Sequence, residues 1–107
     1  MAWFCLLLAG AFEIVFALGL KYTEGFTRPW PSAGTLAAAG VSLWLLTQSL
    51  RTIPVGTAYA VWTGIGAVGT AVLGMILFGE PRDVARIVCI LLIVAGILGL
   101  KFTTSAG

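Results

Sequence analysis

A chain of 107 residues that is 60% hydrophobic and only 9% charged is too apolar for a soluble domain, where charged residues usually make up about 25%. Its mean hydropathy of +1.08 places it in a bilayer. The formal net charge of +2 comes from side chains scattered through the connections, so there is no basic patch to bind nucleic acid.

The first apolar run covers about residues 2–20 and holds one charged side chain, Glu13, near its middle. No basic region precedes the run, and no polar start follows Gly10-Ala11, so the segment is expected to stay as a helix rather than be cleaved as a signal peptide. An acid at that depth costs roughly 2.5–3.5 kcal/mol on insertion scales and is tolerated mainly where it faces a bundle interior or a watery cavity. Glu13 is therefore a functional candidate, with a plain hydrogen bond between helices as the alternative. Around it Gly10 and the small Ala9 and Ala17 leave room for a helix or a ligand, and Phe16 lies one turn away.

A polar, proline-punctuated connection from Lys21 to Pro31 leads to a second span over about 32–50, in which Ser32 can cap the helix. Ser42 lies in mid-span, either bonded to its own preceding turn or serving as a partner for Glu13. The third span covers about 55–78. Tyr59, Trp62, Thr63 and Gly66 share one of its faces, setting two aromatic rings and a hydroxyl where a cation can meet them. Gly64-Ile65-Gly66-Ala67-Val68-Gly69 matches the dinucleotide pattern GxGxxG, but no strand-loop-helix unit surrounds it. Gly64 and Gly66 mark either a bendable helix or a closely packed one.

The fourth span covers about 84–100 and carries a small-residue stripe. Cys89, Leu92, Ala95, Gly96 and Gly99 on it are assigned to dimer packing, and Lys101 to the membrane interface. The expected architecture is all-α, a single transmembrane domain over 1–107 with four helices and a short tail from Phe102. Four thin helices leave little room to enclose a buried acid, so a dimer is the minimum assembly. Lys21, Arg28, Arg82 and Arg86 fall on one side, and Arg51, Lys101 and the amino terminus on the other. A bias this small leaves orientation weakly fixed, and both orientations are expected to occur. Two copies inserted oppositely form an inverted repeat made from two chains.

These residues resemble the small multidrug resistance transporters, and within them the guanidinium exporters. The resemblance covers nearly the whole chain and rests on Ala9-Gly10-Ala11-Phe12-Glu13, Leu20-Lys21, Ser42, the stretch from Pro54 to Thr70, Gly79-Glu80-Pro81 and Ala95-Gly96-Ile97-Leu98-Gly99-Leu100-Lys101. It implies an antiparallel, dual-topology homodimer in the bacterial inner membrane that exchanges protons for small organic cations. It further implies that Glu13 binds proton or substrate, that Ser42 hydrogen-bonds its carboxylate, and that Tyr59 and Trp62 line the site. By the same likeness the third-helix glycines form a kink and the fourth helix holds the dimer. One departure stands out: guanidinium exporters tend to carry tryptophan where this chain has Phe16, which keeps a ring but loses the indole N–H.

The physics of exchange is independent of the resemblance. A carboxylate removed from water favours whatever neutralises it, so a proton and a cation compete for one site. Planar guanidinium suits carboxylates because it donates paired N–H bonds. The sequence has no histidine, nucleophile–base pair or metal-ligand cluster, so neither an enzyme nor a cofactor is expected. The alternatives are a broad exporter of quaternary ammonium compounds, a passive channel, and a small structural or regulatory subunit.

Overall fold

The computed structural model describes residues 1–103; the rest of the expected tail lies outside the described residues. Every regular element among them is a helix: α1 (Ala2–Tyr22), α2 (Pro29–Ser49), α3 (Val55–Leu77) and α4 (Val84–Thr103). At about 1.5 Å rise per residue each reaches across a hydrocarbon core of about 30 Å. By length and composition α1, α3 and α4 are apolar enough to cross a membrane. The more polar α2 lies antiparallel against α1, because Thr35 meets Gly19 near one end and Ser42 bonds to Ala9 further along. It therefore covers the same depth, with Thr35, Ser42 and Ser49 buried.

The second helix starts at Pro29, three residues before the sequence-based start at Ser32. Proline lacks an N–H and holds a helical φ, so both Pro29 and Pro31 are tolerated in the first turn, where no intrahelical acceptor is needed. Arg28 takes the capping position, and the Ser32 N–H already bonds to the Arg28 carbonyl at 3.1 Å. Ser32 is thus a helical residue and not the cap; its Oγ is buried and has no partner among the described residues. The first helix runs on to Tyr22, and the chain reverses through Glu24, Gly25 and Phe26, all at positive φ. Thr23 anchors that reversal: it is buried, its hydroxyl donates to the Leu20 carbonyl at 2.8 Å, and it accepts from the Phe26 N–H at 3.3 Å.

In a bilayer, helices gain little from hiding apolar surface from lipid, so close packing and internal hydrogen bonds must hold them. The contacts follow that rule. Gly10 admits Ile65, Gly69 admits Ile14, Gly19 admits Thr35, and Gly64 admits Ile97; a Cβ at any of the four would collide with the side chain now there. The tight core comprises Leu6, Ala9, Leu45, Leu46, Ile53, Ala58 and Val61, with Ile53 of the α2–α3 connection closing it from the end. Helix α4 packs mainly against α3, reaches α1 through Lys101 and Trp3, and buries none of its residues.

Candidate functional site

Glu13 projects from the middle of α1 onto Gly66 of α3, where the missing Cβ makes the room: any side-chain carbon at Gly66 would strike the Glu13 Cγ. The carboxylate lies between two cavities. The larger, about 510 Å³, is lined by Glu13, Ala17, Thr63, Gly66, Thr70, Ala71 and the Glu80–Arg86 pair. The smaller, about 120 Å³, is lined by Glu13, Phe16, Ala39, Ser42, Leu43 and Trp62. Among the described residues no side chain hydrogen-bonds or ion-pairs with Glu13. A carboxylate held by packing and left without a protein cation is chemically ready for a proton or an external cation.

Ser42 is buried and faces the smaller cavity, but its bonds differ from the expectation. Its hydroxyl donates to the Ala9 carbonyl at 2.6 Å and accepts from the Trp62 indole N–H at 2.9 Å. The Glu13 carboxylate is not its partner. The cause is packing: Ala9 is small enough for α2 to bring Ser42 onto the α1 backbone. The serine thus ties three helices together and fixes the edge of the Trp62 ring beside Glu13.

Tyr59 meets Trp62 in a tilted ring pair with centroids 5.7 Å apart, but it is 58% exposed and lines neither Glu13 cavity in the single chain. Thr63 lines the larger one while its hydroxyl donates to the Tyr59 carbonyl at 2.8 Å. Gly10 is a packing position against Ile65 rather than a cavity wall. Helix α3 is continuous through Gly64 and Gly66, and both serve there as close-contact positions. On α4, Cys89, Leu92, Ala95, Gly96 and Gly99 are all exposed, with open space at both glycines. Lys101 sets its Nζ 4.4 Å from the centre of the Trp3 ring.

Sequence reasoning gave Thr70, Glu80 and Arg86 no role in the site. Thr70 extends the Thr63–Gly66 face by one turn, so periodicity could have found it. Glu80 and Arg86 meet across the turn at Gly79 and Pro81, and no helical spacing signals that contact.

The family description "Small Multidrug Resistance protein" matches residues 1–93. Curated relatives named guanidinium exporter include one from Citrobacter freundii, 59% identical over 104 residues that make up 97% of this chain and 99% of that protein. Another, from Yersinia pestis, is 54% identical over 104 residues, covering 97% of this chain and all of its own. A third, from Salmonella typhimurium strain LT2, is 54% identical over 103 residues, with 96% and 98% covered. With a carboxylate set among apolar helices and near full-length likeness to exporters, the chain belongs to the small multidrug resistance family of multi-pass membrane transporters.

Proposed function

We propose that this transporter exports guanidinium and small guanidinyl or ammonium cations in exchange for protons, with proton and cation competing for Glu13. The observation that carries the reading is the unpaired Glu13 carboxylate between two cavities inside a membrane protein. A charged acid in that setting needs a counter-charge, and two are available to a transporter: a proton from one side or a monocation from the other. The relatives named guanidinium exporter support the choice of cation. Trp62 adds an aromatic face beside the carboxylate, worth about 0.5–2 kcal/mol to a cation depending on desolvation.

The working unit is a homodimer of oppositely inserted copies. Its support is α4, whose residues are all left unburied by the single chain and whose Gly96 and Gly99 stand open. A partner copy also supplies the missing cover for the exposed Tyr59, which then joins the site. Gly64 and Gly66 give α3 the freedom to bend as the cavity changes its open side.

The test is uptake by purified protein in liposomes under an imposed pH gradient, comparing guanidinium with a bulky aromatic quaternary ammonium. Guanidinium uptake alone supports the reading and means that Phe16 serves in place of tryptophan. Uptake of the bulky cation would redirect it to a multidrug exporter, and silence for both would contradict it.

A further inference from the structure

The larger cavity has a second polar end. Where α3 finishes, Gly79 turns the chain at a φ of 66°, and the Glu80 N–H returns to the Gly74 carbonyl at 3.3 Å. The Glu80 carboxylate lies directly over Gly74, in space that a Cβ would fill. Arg86 meets it: one guanidinium nitrogen donates to Glu80 Oε1 at 2.7 Å and reaches the Ala71 carbonyl at 3.5 Å. One α3 turn away, Arg82 donates to the Met75 carbonyl at 3.1 Å. The end of α3 thus already receives two guanidinium groups, as expected where helix carbonyls gather negative charge and a carboxylate is added to them.

We propose that Glu80 is the entry carboxylate of the cavity, an outer station for guanidinium cations that Arg86 occupies with its own guanidinium when no substrate is there. This deepens the export reading and rests on it. Four observations argue for a displaceable pair rather than a fixed strut. Arg86 holds Glu80 through one nitrogen, although a guanidinium can make two parallel bonds. Its Nε is buried and has no partner among the described residues. The pair stays partly open, with side chains 30% and 43% exposed. Thr70 lines the same cavity between the α3 levels of Glu13 and Arg86, and its buried Oγ1 also has no partner among the described residues.

From Gly66 beneath Glu13 to Gly74 beneath Glu80 is about 12 Å along α3. One guanidinium cannot bridge the two acids, so they act in sequence. The cation exchanges with Arg86 at Glu80, passes Thr70 on the cavity wall, and reaches Glu13. The cavity walls hold two carboxylates and one arginine, so a single monocation balances their formal charge.

The test is the KM for guanidinium uptake in proteoliposomes for wild type, Glu80→Gln and Arg86→Gln. The proposal expects opposite signs: Glu80→Gln raises KM and Arg86→Gln lowers it, each by up to about fivefold, the range of a partly exposed ion pair. If Arg86→Gln does not accumulate folded, Arg86→Lys gives the same sign, because a strongly hydrated ammonium leaves Glu80 more readily. A purely structural pair would move both variants the same way, with lower maximal rates and unfolding midpoints. That result, or an unchanged KM in both, overturns the proposal and leaves the export reading standing. Wild-type protein that takes up no guanidinium overturns both.

Discussion

Glu13, Gly66, Ser42 and Trp62 divide the work at the residue scale. Gly66 provides the space, Ser42 and Trp62 fix the neighbouring wall, and Glu13 is left with unspent acceptor capacity. Replacing Gly66 by alanine forces the Glu13 Cγ to move, so Gly66→Ala should cut guanidinium uptake at least about tenfold and cost about 1–3 kcal/mol in stability. Paired uptake and thermal-unfolding measurements check this. Ser42→Ala leaves the Trp62 indole N–H without its acceptor, a cost of about 1–3 kcal/mol for a group removed from water. A lowered unfolding midpoint with altered tryptophan emission is the expected outcome. The sequence singled out Ser42 and Trp62 as site residues but not their mutual bond. Which of several acceptors a hydroxyl takes depends on how close two helices come, and here the small Ala9 decides it.

At the scale of the helices, hydropathy was readable because a membrane span requires a long apolar run, and all four helices begin or end within a few residues of that reading. Two differences reach three residues: α4 runs on to Thr103, into the expected tail, and α2 starts early because Pro29 and Pro31 read as loop punctuation although proline is equally at home in a first helical turn. The Glu80–Arg86 contact was invisible for a related reason: charged residues beside a turn look solvated until the fold brings them onto one cavity. Helix α4 carries its own prediction. A Cβ at Gly99 would meet nothing within 4 Å among the described residues beyond its own helix backbone, so Gly99→Leu should leave helicity by circular dichroism unchanged and reduce cross-linked dimer by about tenfold at fixed protein concentration. Full dimer retention would move the association surface elsewhere.

For the whole molecule, the proposed exchange follows from one carboxylate serving two ligands. The sign of the pH effect is fixed by that competition. Lowering pH adds protons to Glu13, fewer carboxylates remain for the cation, and the KM for guanidinium should rise on the acidic side by up to about tenfold per pH unit. The arginines and lysines set opposite sides only weakly apart, so single cysteines placed in the turn at residues 24–26 should react with impermeant reagents from both faces of the membrane. Labelling from one face alone would contradict the oppositely inserted pair.

The central claim is that Glu13 binds a proton or a cation but not both. It is tested most directly by measuring protons released when guanidinium is added to purified protein in weakly buffered solution, for wild type and Glu13→Gln. The account predicts proton release from wild type, falling to zero in the variant. Guanidinium binding without proton release, or equal release from both proteins, would contradict it.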